Sequence, residues 1–197
     1  MRLEPAILEN AYVRLEPLED SHREEMRSLA DDSEIWAFMT QRGDGAHYDA
    51  WFDNMLAASA GPAQISYAVF DAASGMCVGH SAFLEISVPH ARVEIGWTWY
   101  GASVRGGAIN PACKHLLLER AFEAGAQRVE LKTHGRNLRS QRAIARLGAV
   151  HEGVLRSHYA TWTGDRRDTV YFSVLPDEWP GVREGLERRL QAFAPPA

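Results

Sequence analysis

Cysteine is scarce in this 197-residue chain: Cys77 and Cys113 are its whole complement, 36 positions apart with no C-x-x-C. That spacing excludes a disulfide framework and a cysteine-based zinc site, and it suits a reducing compartment, so a cytoplasmic location is expected. Long apolar runs are missing as well. No stretch of about 18 apolar residues is available to cross a bilayer, and Met1-Arg2-Leu3-Glu4-Pro5 lacks the basic-then-apolar layout of a signal peptide, so no membrane association is expected. The eight histidines include no H-x-x-x-H pair and no mixed His/Cys cluster, and no metal is expected. Net positive charge is absent too: 21 Lys and Arg stand against 26 Asp and Glu, a net of −5, which argues against nucleic acid as a partner. Nor is there an internal repeat, a low-complexity tract or a linker, so residues 1–197 read as a single domain.

What is present is ordinary globular composition, 46% hydrophobic with 16 Gly and 9 Pro. A chain of this length buries roughly 70% of its extended surface and needs no staple. Charge is unevenly spread. Residues 1–100 carry 6 Arg or Lys against 16 Asp or Glu, a net of −10, while residues 101–197 carry 15 against 10, a net of +5. The asymmetry is either compositional drift on solvated faces or a fit of the two halves to a cationic and an anionic ligand respectively.

Ser21-His22-Arg23-Glu24 fits a capping box opening a helix over 21–30. Ile35, Trp36 and Phe38 suggest a short helical segment, and Tyr48, Trp51, Phe52, Met55 and Leu56 have the spacing of an amphipathic helix that stops at Gly61-Pro62. The period then changes to two. Strands are expected from Ile65 through Val69, over 76–87 and over 92–100, the last with Val93, Ile95, Trp97 and Trp99 on one face and Glu94, Gly96 and Thr98 on the other. Asn110, with Pro111 behind it, is expected to cap a helix that ends at Gly125. A strand over 127–133, a helix capped by Asn137 and stopped by Gly148, two strands over 150–159 and 167–174, and a helix over 179–193 complete the chain, before an Ala-Pro-Pro-Ala end.

The most informative stretch is strand, Gly-rich turn, helix at Arg105-Gly106-Gly107-Ala108-Ile109-Asn110, because amides at a helix N-terminus can hold phosphate. It has neither the Gly-Lys-Ser/Thr of a Walker loop nor the dinucleotide G-x-G-x-x-G. This order of elements, with Asn137-Leu138-Arg139-Ser140 and Arg146-Leu147-Gly148-Ala149, resembles the GNAT superfamily of acyl-CoA-dependent N-acyltransferases, in the branch of the RimJ and RimL ribosomal-protein acetyltransferases. The resemblance runs from Val13-Arg14-Leu15-Glu16-Pro17-Leu18 through Val93-Glu94-Ile95-Gly96-Trp97-Thr98-Trp99 to Glu152-Gly153-Val154-Leu155-Arg156.

The resemblance implies an α/β (α+β) GNAT fold: a mixed, mostly antiparallel central sheet with helices on both faces and a V-shaped splay between two central strands. It implies acetyl-CoA as cosubstrate and an amine acceptor, either a protein N-terminal α-amine or a small-molecule amine. The family's coenzyme loop, Q/R-x-x-G-x-G/A, is occupied by residues 105–110, with Ala108 where the first glycine and Asn110 where the second small residue is expected. Pantetheine would lie in the splay, bonded to backbone near Trp99 and Tyr100, with Asn137 touching the same arm. Arg136, Arg139, Arg142 and Arg146 recur at three-and-four spacing and form either a phosphate-facing or a solvated face.

Many family members carry a tyrosine seven residues after the asparagine for the leaving thiolate; here that position is Ile144. Ser140 is the expected substitute, and Glu94 the expected base for the incoming amine, ahead of His134 and His158. Since a lysine amine titrates near 10.4 and an α-amine near 7.7 to 8.0, and no strong base is evident, the reading leans toward an α-amine or another low-pKa amine. A non-catalytic acyl-CoA sensor is the alternative. A homodimer is compatible with the sequence.

Overall fold

The structure is a computed structural model that describes residues 1–193; the Ala-Pro-Pro-Ala end lies outside the described residues. Its elements are β1 (Leu8–Glu9), β2 (Val13–Pro17), α1 (Arg23–Ala30), α2 (Tyr48–Ser59), β3 (Ile65–Asp71), β4 (Cys77–Ser87), β5 (Arg92–Tyr100), α3 (Ile109–Glu123), β6 (Arg128–His134), α4 (Leu138–Ala145), β7 (Val150–Ala160), β8 (Arg166–Val174) and α5 (Trp179–Gln191). The strands form one sheet in the order β1-β2-β3-β4-β5-β6-β8-β7. Every neighbouring pair is antiparallel except β5 and β6. The expected mixed, mostly antiparallel sheet is therefore present. No helix is long and apolar enough to cross a membrane among the described residues.

Two cores lie on opposite faces of the sheet. One joins α3 and α5 to Val13, Tyr67, Val93, Ile95 and Leu131, with Leu117, Leu118 and Leu186 essentially buried. The other joins α1 and α2 to Ala68, Cys77 and Trp99, with Trp36, Trp51 and Phe52 packed edge to face. Both cysteines are buried thiols.

Pairing between β5 and β6 covers only Arg92 with Arg128, Val93 with Val129 and Glu94 with Glu130. Beyond that the strands part, as expected. A bulge on the other side of β5 contributes: Ala82 pairs with Gly96 and His80 with Trp99, so Trp97 and Thr98 together oppose Ser81. Trp97 takes a φ of 48°, which sharpens the local twist. The bulge corrects the expected alternation of β5. Val93, Ile95 and Tyr100 belong to the α3/α5 core, but Trp99 lies in the α1/α2 core with Trp97 packed against it, because one extra residue reverses the side on which each later side chain emerges.

Two expected caps also move. The box at the first helix is Glu19–His22, with His22 Nδ1 accepting from the Glu19 amide at 3.1 Å, because the chain already turns through a 3-10 segment at Asp20–His22. Helix α3 starts at Ile109 with Ala108 as its N-cap, so Asn110 and Pro111 lie inside its first turn. Proline is tolerated there because those amides have no intrahelical partner. The other end of α3 is as expected. Gly125 has a φ of 90° and donates to the Phe122 carbonyl while Ala126 donates to Ala121, the paired bonds of a Schellman end.

Candidate active site

The parted strands open a cavity of about 300 Å³, bounded by β5, β6, the Arg105–Asn110 loop, the start of α4 and the 34–39 segment. One wall follows the main chain of the parted strands. Residues 95–100 and 131–134 have lost their ladder partners across the gap, leaving main-chain groups that must find others. The loop after β5 passes through Gly106 at a φ of 82°, where a side chain would be strained, and enters α3 with no side chain capping its first amides. Uncapped amides at the start of a 15-residue helix fit a phosphate.

Of the residues expected here, Trp99, Tyr100, Arg105, Gly106, Asn110, Asn137 and Ser140 line the cavity. Gly107, Ala108 and Ile109 do not line it; they border a second hollow that shares Val104 with the first. Arg105 is a tie rather than a free cation: Nε donates to the Tyr100 carbonyl at 2.9 Å and Nη2 to Asp32 Oδ2 at 2.6 Å, which holds the Asp32 carboxyl below its usual range. Asn137 is the expected N-cap, its Oδ1 accepting from the Ser140 amide at 3.0 Å. That cap fixes Ser140 one turn into α4, on the cavity wall. Ile144 is buried beside it and makes the wall apolar where the resemblance would place a tyrosine. Within the arginine series, only Arg139 lines the cavity; Arg136, Arg142 and Arg146 are exposed.

The opposite wall is made of side chains. Glu94 is 2% exposed and does not line the cavity itself. One oxygen, Oε2, lies 2.6 Å from Lys132 Nζ; the other, Oε1, sits under Gly96, where a Cβ would come within 2.8 Å of it. Burial raises the Glu94 carboxyl above its ordinary value against the pull of Lys132. Burial opposes the Lys132 charge, but Glu94 and the Tyr159 hydroxyl outweigh it and hold the ammonium above its ordinary value.

His134 lines the cavity with its ring edge against Phe38. Its Nδ1 accepts from the Arg136 amide at 3.0 Å, so the neutral ring carries its proton on Nε2, a buried atom with no partner among the described residues. Burial, with Arg167 and Arg136, lowers its pKa. This makes His134 a neutral donor rather than the reserve base. His158 lies tilted against Tyr159 and does not line the cavity.

Three cationic residues of the cavity were not anticipated: Lys114, Lys132 and Arg167. Lys114 stands one turn after Asn110 on α3, a spacing that could have flagged it; its Nζ donates to Thr98 Oγ1 at 2.5 Å and Ser81 Oγ at 3.3 Å. Lys132 is two places from His134 on one strand face. Arg167 had no local signal.

Residues 13–150 match the model of the acetyltransferase (GNAT) domain. A GCN5-related N-acetyltransferase from Brucella melitensis is 30% identical with a TM-score of 0.87, covering 95% of this chain and 86% of that one. A protein from T. thermophilus assigned to the acetyltransferases is 35% identical, also at 0.87, covering 96% and 100%. Mycobacterium smegmatis RimJ, solved with CoA-disulfide, is 20% identical with a TM-score of 0.76 and 93% coverage of each chain, a likeness of fold alone. No match is found among curated proteins. With a matching family model over most of its length and a sheet that parts where the coenzyme loop begins, the chain belongs to the GNAT acetyltransferase family.

Proposed function

We propose that the protein transfers the acetyl group of acetyl-CoA to a primary amine by direct attack of the amine on the thioester. The observation that carries this reading is the juxtaposition in one cavity of the parted β5 and β6 strands, the uncapped start of α3 and the capped start of α4. The amides of residues 106–110 would hold the pyrophosphate, while backbone near Trp99 and Tyr100, together with Asn137, would hold the pantetheine arm.

Two proton problems then fall to side chains. As the amine nitrogen bonds to the carbonyl carbon and the C–S bond breaks, the Ser140 hydroxyl donates to the thiolate. Glu94 removes the amine proton through a water at Gly96, whose missing Cβ leaves Oε1 free of a side chain there; burial favours the protonated form that results.

Purified protein with acetyl-CoA should release free CoA thiol when N-terminal peptides, polyamines, aminoglycosides and amino acids are offered in turn, with an acetylated product of matching mass. Binding of acetyl-CoA without thiol release from any amine would instead make this a coenzyme-binding module.

A further inference from the structure

The cavity carries more positive charge than its coenzyme wall accounts for. Arg105, Lys114, Lys132, Arg139 and Arg167 line it, against the single carboxylate of Glu34. Asp32 neutralises Arg105 and Glu94 neutralises Lys132. Lys114 on α3 and Arg139 on α4 flank the gap between β5 and β6, where the anions of a coenzyme are expected. Arg167 is placed differently. It projects from β8, which lies on the far side of β6 from that gap.

Arg167 is 7% exposed, yet no carboxylate lies within 4.0 Å of its guanidinium among the described residues. Nε donates to Thr169 Oγ1 at 3.2 Å and Nη1 to the Phe38 carbonyl at 3.1 Å. A guanidinium has five N–H groups, so three are left over, including both on Nη2, and the side chain borders the cavity. Tyr159 covers one face of the group at 5.4 Å, and the bond to Phe38 holds it against the 34–39 segment. Beside it, the buried Nε2–H of His134 is a second donor without an acceptor. A buried charge left unpaired is strongly destabilising, and a planar fork with free parallel N–H groups matches a carboxylate.

Resting on the acetyl-transfer reading above, we propose that Arg167, assisted by His134 Nε2–H, holds the carboxylate of the acceptor, so that the substrate is a small amine that also bears a carboxylate: an amino acid rather than a polyamine or aminoglycoside. Of the acidic N-terminal half, Asp20, Asp49 and Asp53 are engaged by Arg23 and Arg27 and do not line the cavity, which leaves Glu34 as its carboxylate there.

The test compares each L-amino acid with its own carboxamide and its decarboxylated amine, using the intact protein, acetyl-CoA and thiol release. For the preferred acid, kcat/KM should exceed that of its carboxamide by about a hundredfold, the loss typical of leaving a buried charged donor without its partner. Arg167→Met should bring the acid down to the level of the amide, with acetyl-CoA affinity by calorimetry unchanged. Equal turnover of acids and amides by the wild-type protein overturns the proposal without any variant. A proportional loss on both in Arg167→Met also overturns it, since that is what a mere brace for Phe38 would give. Silence from every amine overturns the transfer reading as well, whereas equal turnover overturns only this one.

Discussion

The two walls of the cavity are built from different materials. On the side proposed for the coenzyme, the free groups are main-chain amides and carbonyls, left by the end of a strand ladder and by a helix that starts without a side-chain cap. On the side proposed for the acceptor they are side chains from three separate elements, Phe38 from the 34–39 segment, Lys132 and His134 from β6 and Arg167 from β8. A backbone wall tolerates sequence change so long as its φ/ψ path survives, which is why Ala108 can stand where the resemblance expects a glycine and Asn110 where it expects a small residue. A side-chain wall changes with every substitution. The first should therefore be generic to the coenzyme, and the second specific to the acceptor.

The largest break in that comparison should come from Ser140, a side chain on the border between the walls. Ser140→Ala should lower kcat by about a hundredfold with acetyl-CoA affinity unchanged, because its hydroxyl acts only on charge that develops at the sulfur. Full kcat in the variant would hand the thiolate to a backbone amide. Next, Ala108→Asp adds an anion where the α3 amides are free. Acetyl-CoA should bind about thirtyfold more weakly while the melting temperature holds or rises, since the same charge favours the helix dipole and repels phosphate. Calorimetry with a parallel melt reads both, and undiminished affinity would place the pyrophosphate elsewhere.

The two walls also differ in how much of them could be read from sequence. The Gly-rich turn between strand and helix and the Asn137 cap are local signals, and the structure places them as expected. The bulge at Trp97 was not legible: Val93 to Trp99 alternates cleanly in apolar character, and only the pairing with β4, where Ser81 meets two residues, reveals the slip. The α3 cap was misplaced for a related reason. Asn110-Pro111 is a good local start, but the chain is already helical at Ala108. Arg167 meets the cavity only because β8 lies next to β6 out of sequence order, and no spacing rule carries that information.

A smaller effect is expected at Glu94, which does not itself line the cavity. Glu94→Gln should lower kcat/KM about tenfold at low pH, where few acceptor amines are already neutral, and the deficit should shrink as pH approaches the acceptor's own pKa. The variant also leaves Lys132 buried without its counter-charge, so it should melt lower wherever the wild-type carboxylate is ionised, with the difference shrinking as pH falls and Glu94 takes up its proton. A pH profile parallel to wild type, with only the melt shifted, would leave Glu94 as a partner for Lys132 and nothing more.

Lys114 is a buried cation on the side proposed for the coenzyme, and its variant should give the smallest change. It is 5% exposed and bonds only to the hydroxyls of Thr98 and Ser81; burial brings its ammonium down to about 8. Below pH 8 the group is charged in both the folded and unfolded chains, so folding bears the full desolvation cost, about 3 kcal/mol at 1.36 kcal/mol per pKa unit. Between about 8 and 10.5 the unfolded chain keeps a proton that the folded one has released, and stability rises with pH until that cost is gone. Lys114→Met removes the cost but also two hydrogen bonds, each worth about 1 kcal/mol, while Thr98 and Ser81 keep their bond to each other at 2.7 Å. The variant should therefore be more stable than wild type by about 1 kcal/mol at pH 7, equal to it near pH 9 and less stable above pH 10. Melts across that range read the crossing. A difference that does not vary with pH would mean that Lys114 keeps its ordinary titration, and that the coenzyme wall contains a hydrated ammonium instead of a buried one.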